Sequence, residues 1–359
     1  KAKSSRHQNR FRRVFLEHLE DRRLLTGTWA QMGDSFLGAS AGDKLGSRVS
    51  LSDDGLTMAI GSPGFNNLDG KTSIVRFSPN TGEWSQIGQT LIGGDDANHF
   101  GTGVSLSSDG NQLVVTARMP PQSSSVVAIP YRYDSIDNEW ERVAGWFGTG
   151  DNSTRPAAVQ ISGDGNTVIV GAPDVVIGTK HGAGQATLYR FSESANKWEY
   201  LYIERSGFAA RFLGTSVAIS NDGNTFAVGG TAQNDSSKGI VKVLKYSDVE
   251  NGFRQLGNDL WGGNYALAGS SISLSADGTV LGIGAPGQNT AQRIYQYNES
   301  SEAWEQLGND IIRESDGDLL GKSIKLSADG STVVIGGPGN DENGTDTGYA
   351  RLYKYESSS

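Results

Sequence analysis

A short glycine-containing stretch near the C-terminus could bind a cation. Asp341, Asn343 and Asp346 fall within six residues, and each side chain could supply an oxygen ligand. Calcium prefers six or more oxygens from carboxylates, amides, carbonyls and water. We therefore predict that Asp341, Asn343 and Asp346 form a calcium site. A solvated polar loop is the alternative.

Two further clusters of polar side chains are candidates for ligand binding. Asp316 and Asp318 form a short carboxylate pair. Asp95 and Asp96 are followed closely by His99. Such acids favour a cation or a cationic partner over an anion, and ordinary surface loops remain the alternative.

Two tryptophans depart from an otherwise regular spacing. An aromatic residue recurs about every 55 residues, at Trp29, Trp84, Trp140, Trp198, Phe253 and Trp304. Trp146 and Trp261 lie outside this series. An exposed indole can stack on a sugar or a peptide, so both are predicted ligand contacts, with extra core filling as the alternative.

Nucleophilic catalysis has little support in these residues. There is no cysteine and there are four histidines, two of which lie before residue 19. No Gly-x-Ser-x-Gly turn stands out with a matching histidine and aspartate. Paired carboxylates for glycoside hydrolysis remain open because forty acids are present, yet nothing marks any two of them. We therefore assign no catalytic residue.

Charge and hydropathy exclude two classes of partner. The net charge is −9, but residues 1–27 carry +5, so residues 28–359 carry −14. Nucleic-acid phosphates would repel so acidic a body. No long apolar run is present, so we expect no membrane span.

A repeated unit extends over almost the whole chain. The Asp-Gly pairs place glycines at 55, 110, 165, 223, 278 and 330, and the aromatic series keeps the same interval. A period of about 55 residues is typical of propeller blades. The forty-nine glycines and many polar turn residues also suit short strands joined by tight turns.

Each unit contains four strand patterns. An alternating Ser-rich strand precedes the Asp-Gly turn, an apolar strand follows it, and an aromatic strand and a Trp-containing strand complete the unit. The chain starts on a fourth strand, Thr28–Gly33, and ends after a third. We therefore predict an all-β, six-bladed β-propeller of four-stranded antiparallel blades over residues 28–359, closed by the N-terminal strand. An open solenoid is the alternative, but it would require atypical capping units.

The units resemble the FG-GAP repeats of integrin-type propellers. Phe100-Gly101 matches the FG pair, and Gly171-Ala172-Pro173 and Gly284-Ala285-Pro286 match GAP. Kelch units are also similar, through the small-residue pair followed by Tyr-x-Tyr and Trp. The resemblance implies a propeller, and in integrins it implies calcium on a DxDxDG loop. The Asp-Gly connections here are too short for that loop, so we interpret their aspartates as turn residues.

Residues 1–27 form a separate, basic segment. Arg10 to Leu25 could form a helix, with Phe11, Phe15 and Leu19 four residues apart; a disordered tail is the alternative. Leu16 to Leu25 resembles the LExLEDRxLL signature near the N-terminus of exported planctomycete proteins. That resemblance implies a targeting or sorting segment and an extracellular or cell-surface location.

We expect a non-catalytic binding or scaffolding module, monomeric, without a cofactor other than calcium. The ligand would be a protein or a carbohydrate. It would bind the loop face, which carries the loops after the second strands and those before the first strands, rather than the Asp-Gly face, which carries the Asp-Gly turns. The alternative is a propeller enzyme acting on carbohydrate through paired carboxylates, which would need two such groups in a central pocket.

Overall fold

The computed structural model describes residues 31–94, 98–119, 126–143, 145–148, 158–231, 237–288, 290–315, 317–341 and 347–356. Nearly all regular structure is β, in six small antiparallel sheets that form a six-bladed propeller, which confirms the predicted fold class. The segment 1–27 and Trp29 lie outside the described residues. No helix in these described ranges is long and apolar enough to cross a membrane.

Blades 1 to 3 comprise β1 to β14 and one short helical turn. In chain order they are β1 (Arg48–Leu51), β2 (Thr57–Ser62), α1 (Phe65–Leu68), β3 (Lys71–Ser78), β4 (Glu83–Gln86) and β5 (Leu91–Ile92); β6 (Asn98–Leu106), β7 (Gln112–Arg118), β8 (Val126–Asp134), β9 (Glu139–Arg142) and β10 (Phe147–Gly148); and β11 (Val159–Ile161), β12 (Thr167–Ala172), β13 (Gln185–Ser192) and β14 (Lys197–Arg205).

Blades 4 to 6 comprise β15 to β27. In chain order they are β15 (Leu213–Ile219), β16 (Thr225–Gly230), β17 (Ile240–Ser247), β18 (Gly252–Gln255) and β19 (Leu260–Trp261); β20 (Ser271–Leu274), β21 (Val280–Gly284), β22 (Ala291–Asn298), β23 (Ala303–Gln306) and β24 (Ile311–Ile312); and β25 (Ser323–Leu326), β26 (Thr332–Gly337) and β27 (Tyr349–Lys354).

The Asp-Gly turns have one geometry in all six blades. Their glycines adopt φ between 66° and 74°, a region that glycine enters without steric cost. In blade 1 the Asp54 carboxylate accepts hydrogen bonds from the Ser52 hydroxyl, at 2.5 Å, and from the Leu56 N–H, at 2.8 Å. The same bonds recur in the other blades, at Asp109, Asp164, Asp222, Asp277 and Asp329. The interpretation of these aspartates as turn residues is confirmed.

Alternating side chains join each blade to the next. Val104 and Leu106 on the first strand of blade 2 share a buried cluster with Ala59 and Ile74 of blade 1. Trp140 of blade 2 donates its indole N–H to the Ile87 carbonyl, at the end of the outer strand of blade 1, over 3.1 Å. The tryptophan interval in the sequence is therefore the interval between blade interfaces.

Hydrogen bonds narrow the axis at the Asp-Gly face. Backbone bonds link the turns of successive blades: Asp53 to Ser108, Ser108 to Gly163, Asp164 to Asn221, Asn221 to Ala276, and Ala276 to Ala328. The Asn221 amide also reaches the Asp53 carboxylate of the opposite blade, at 3.4 Å. These contacts narrow the axis at this end.

Blade 6 has three strands, as the sequence predicts for a unit that lacks its own fourth strand. Of the closing strand expected at Thr28–Gly33, residues 28–30 lie outside the described part of the chain, and Gln31 to Gly33 belong to no strand. The Met32 carbonyl accepts the indole N–H of Trp84 at 2.7 Å. Met32 therefore has the same position relative to Trp84 of blade 1 as Ile87 has relative to Trp140 of blade 2.

Candidate functional site

The loop face carries a small pocket on the axis. Its volume is about 230 Å³, and the beginnings of the first strands line it, including Arg48, Thr215, Ser216 and Ser271. None of the described residues that line it is an acid or a histidine. The two central carboxylates required by the enzymatic alternative are therefore not found among them.

A larger cleft opens on the loop face between blades 4 and 5, with a volume of about 610 Å³. Leu260 and Trp261 of β19 form one wall. Arg293 of β22 and Asp310, just before β24, form the opposite wall, and Ala285 lies in the floor. The volume falls in the usual range for small-molecule sites.

Strand alternation explains why these side chains face the cleft. Ile294 belongs to the cluster shared with blade 6, and Gln292 donates to the Leu320 carbonyl of blade 6 at 2.8 Å. Because successive side chains of a strand point to opposite faces, Arg293 and Tyr295 point toward blade 4. Tyr295 accordingly packs on the cluster that blades 4 and 5 share.

Arg293 and Asp310 form a two-bond ion pair in the cleft wall. The guanidinium Nε and Nη2 lie 2.8 and 3.1 Å from the two carboxylate oxygens. The hydrogen bond from Arg293 holds the pKa of Asp310 below its usual range, and Gln306 adds a further donor at 2.9 Å. The pair therefore presents fixed, ionised groups to the cleft, and this geometry is suited to orienting a polar ligand.

The connection from blade 5 to blade 6 carries two charged residues, Arg313 and Glu314. Arg313 donates to the Gly287 carbonyl at 2.5 Å. Glu314 accepts from Arg351 of blade 6 at 2.7 Å. The hydrogen bond to Glu314 raises the pKa of Arg351 above the ordinary value of an arginine. Both Arg313 and Glu314 line the cleft, so its rim is charged with both signs.

Trp261 lies in the cleft, and the residue is 44% exposed. Its pairing with Ile240 in β17 fixes the position of its backbone. The guanidinium of Arg211 lies 5.0 Å from the centroid of the indole and 5.3 Å from that of Phe208. The structure therefore places this predicted ligand contact in the cleft between blades 4 and 5, with a cation beside its ring.

Trp146 lies in a second, smaller cleft, between blades 1 and 2. The cleft has a volume of about 320 Å³ and is lined by Ile92, Met119, Tyr131 and Arg142 among others. The indole is half exposed. Ile129 has the same position in its strand as Arg293 has in blade 5, so the described residues form no corresponding ion pair in this cleft.

His99 is half-buried on the loop face, on a backbone with φ of 54°. Burial lowers its pKa first, and the positive charges of Arg118 and Lys44 lower it further. Asp95 and Asp96 lie outside the described residues, so the predicted cluster around His99 stays a prediction.

Asp318 is buried and satisfied within the protein. Its carboxylate accepts from the Ser315 N–H, the Asn340 amide and the Tyr349 hydroxyl at 3.1 to 3.2 Å. Burial opposes ionisation, but these donors outweigh it and lower the pKa of Asp318. This geometry does not support the expected ligand contact at Asp318, because its oxygens serve the loop itself. Asp316 lies outside the described residues.

The predicted calcium loop lies only partly within the described residues. Asp341 is exposed, whereas Asn343 and Asp346 lie outside the described residues. Within the described ranges, no group of three or more His, Cys, Asp or Glu side chains could hold a metal ion. Calcium binding at this loop stays a prediction.

The ion pairs of the cleft were not predicted from the sequence, although a signal for them exists. Arg293 and Arg351 each precede an apolar residue and a tyrosine on the third strand of their blades. The sequence thus repeats a cation at one position of successive units, and an acid, Asp310, follows Arg293 by 17 residues. These two signals together would have identified the wall of the cleft.

Fold and site together define a six-bladed β-propeller with a ligand-sized, charged cleft on its loop face. No family model and no curated protein sequence matches the chain. The FG-GAP and kelch resemblances therefore remain resemblances.

Solved structures with similar folds include two lactonases and a lyase. The periplasmic gluconolactonase of Pseudomonas aeruginosa is 18% identical, with a TM-score of 0.56 over 85% of this chain and 80% of that one. A putative 6-phosphogluconolactonase of Bacteroides uniformis is 14% identical, with a TM-score of 0.57 over 87% of this chain and 81% of that one. An oligogalacturonate lyase in complex with manganese is 12% identical, with a TM-score of 0.51 over 86% of this chain and 76% of that one. At such identities the likeness concerns the fold alone.

Proposed function

We propose that this propeller is a binding module that takes a carbohydrate ligand in the cleft between blades 4 and 5. One observation carries the proposal: an exposed indole, Trp261, lies in the same cleft of about 610 Å³ as the Arg293–Asp310 pair. An aromatic face stacks on the apolar face of a sugar ring. The fixed ionic groups supply donors and acceptors for its hydroxyls.

The N-terminal segment supports an exported binding module. Leu16 to Leu25 resembles a signature of exported proteins, and one of the structures with a similar fold is named a periplasmic enzyme. An extracellular or cell-surface propeller would meet glycans directly, which is consistent with the proposed ligand.

A glycan array with the purified chain tests the proposal. We expect binding to a restricted set of saccharides, and we expect Trp261→Ala to weaken it at least tenfold because the stacking surface is lost. Trp146→Ala is the matched control, since it removes a tryptophan of similar exposure, 50% against 44%, from the smaller cleft. Equal affinities for parent and Trp261→Ala, or a larger loss in the control, would contradict the assignment to this cleft.

A second function, catalysis on carbohydrate, has a specific observation in its favour. The similar folds include proteins named as lactonases and as an oligogalacturonate lyase. Against paired-carboxylate hydrolysis, the pKa of Asp310 is lowered, whereas a general acid needs a raised pKa. Incubation of the chain with the saccharides that it binds separates the two functions. Turnover that is lost in Asp310→Asn would establish the enzyme.

A further inference from the structure

Blade 1 exposes an apolar surface that its counterparts bury. Val49 and Leu51 of β1 are 60% and 54% exposed. The residues at the same positions of blade 2, Val104 and Leu106, are buried against blade 1. The face that blade 1 turns toward the preceding blade therefore has no apolar partner among the described residues.

Blade 6 exposes the complementary surface. Val334 of β26 and Leu352 of β27 are directly paired, and they are 36% and 59% exposed. Ala59 and Ile74 form the same pair in blade 1 and are completely buried by blade 2. The seam between blades 6 and 1 is thus lined on both sides by surfaces that the other interfaces bury.

The backbone contacts of the other interfaces are also missing at this seam. A Cβ added to Gly101 of blade 2 would lie 3.1 Å from the Gly61 Cα of blade 1, whereas one added to Gly46 of blade 1 would meet nothing within 4 Å. In the described chain, no backbone bond continues the ring of turns from Ala328 to Asp53. Blades 6 and 1 are therefore not in direct contact as the other neighbours are.

The position of residues 31–33 indicates which strand belongs beside blade 1 in the seam. Met32 lies against Trp84 as Ile87 lies against Trp140, so Met32 ends the outer strand of the blade before blade 1. If that blade were blade 6, Tyr353 would pair with Gln31, as Tyr295 pairs with Gln306. Among the described strands, β27 pairs with β26 alone.

Blade 6 also has room for an outer strand of its own. A cavity of about 420 Å³ lies beside β27, lined by Leu307, Gly308 and Tyr355 among others. At the preceding interface, Gly257 closely faces the indole of Trp304. Gly308 meets only the edge of Tyr355, with carbons 3.7 Å from an added Cβ. The cavity has the place and the size for the tryptophan of a fourth strand.

We propose that the seam is the docking site of a seventh unit of the same repeat type. The unit gives blade 6 a tryptophan-bearing outer strand and then supplies three strands of a seventh blade, whose outer strand ends at Gln31 to Gly33. Val334 and Leu352 contact one side of the inserted blade, and Val49 and Leu51 contact the other. The ring is then closed by the N-terminal strand, within seven blades.

Duplication of residues 299–356 directly after Glu356 supplies such a unit from the chain's own sequence. We expect the melting temperature to rise by at least about 5 °C, because two apolar faces become buried. Leu51→Asp is the matched control. It should change the parent little, since Leu51 is exposed there, and should abolish most of the gain in the extended chain. An unchanged melting temperature on extension would overturn the proposal.

Engineered cysteines distinguish docking from direct closure, and the parent contains no cysteine to interfere. Leu51→Cys with Val334→Cys spans the seam, and Leu106→Cys with Ala59→Cys spans the equivalent blade 1 to blade 2 interface. We expect a disulfide in the second variant only, because the Cα atoms must lie within about 7 Å. Rapid oxidation across the seam, or a dimer of the parent that Leu51→Asp abolishes, would overturn the seventh unit in favour of ring closure or a second copy.

Discussion

Asp318 illustrates how an acidic motif can serve the protein itself. Three donors, from Ser315, Asn340 and Tyr349, surround its carboxylate. Burial first, and then the negative charge of Asp318, raise the pKa of Tyr349 to about 12, so its hydroxyl remains a donor at physiological pH. A cluster of acids in a sequence does not reveal whether its oxygens face a ligand or backbone amides, because burial decides between the two.

We expect Asp318→Ala to lower the free energy of unfolding by about 1–3 kcal/mol, since the substitution leaves buried donors without an acceptor. Urea denaturation of parent and variant provides the measurement. Asp137→Ala, on an exposed turn, is the control and should stay within about 0.5 kcal/mol of the parent. An unaffected Asp318→Ala variant would mean that the loop does not depend on its carboxylate.

The turn aspartates predict how stability depends on pH. The hydrogen bond from Ser52, and then that from a backbone N–H, lower the pKa of Asp54. The hydrogen bond from Ser327, and then that from a backbone N–H, lower the pKa of Asp329 to about 2. An unfolded aspartate has a pKa of about 3.9. Because the folded value is the lower one, the contribution to stability is present above about pH 4 and is lost as the pH falls toward 2.

We therefore expect the urea concentration at the unfolding midpoint to decrease as the pH is lowered from 4.5 to 2, because these carboxylates become protonated. Asp329→Asn removes one of them, so the variant should lose less stability over this interval than the parent does. A midpoint that is equally pH-dependent in parent and variant would show that Asp329 does not contribute to the transition.

The outer strands of the blades hold the interfaces together through their aromatic residues. Trp140 is buried, donates to Ile87 of blade 1 and packs against Tyr133 with ring centroids 5.3 Å apart. Trp304 repeats the bond toward Leu256 at 2.8 Å. At these two interfaces a tryptophan of one unit thus anchors the outer strand of the unit before it.

We expect Trp140→Ala to cost about 3–5 kcal/mol of unfolding free energy, because it removes a large buried side chain. Trp146→Ala makes the same chemical change six residues away on a half-exposed indole and should have a much smaller effect. Urea denaturation of the two variants measures the difference. Similar losses in both would contradict the anchoring role of Trp140.

The element patterns in the sequence were informative because they depend on local alternation. The apolar strand predicted after the Asp-Gly turn corresponds, in blade 5, to β21, Val280–Gly284. The short strands β5, β10, β19 and β24 were not predicted, since two residues are too few for a period to be recognised. One of these strands carries Trp261, so the local geometry of the cleft could not be read from the pattern.

At the scale of the whole molecule, the number of blades follows from the period, whereas the cleft does not. Its walls come from Trp261 in blade 4 and from Arg293 and Asp310 in blade 5, and only the pairing of strands brings them together. The open seam was also not predicted, because the apolar pattern of Val49 and Leu51 is the same as in the buried counterparts. Exposure is a property of the assembled ring.

The hydrogen-bonded turns at the Asp-Gly face affect how a small molecule can enter and leave the axial pocket. Since Asn221 reaches across to Asp53, the axial pocket has a floor at the Asp-Gly face, whereas the exposed faces of blades 6 and 1 leave it open on that side. A small molecule that enters past Arg48 can therefore leave either through the opening on the loop face or between blades 6 and 1. A large partner seated on the loop face would cover only the first of these two exits, and would retain the contents of the pocket only where the second exit is filled as well.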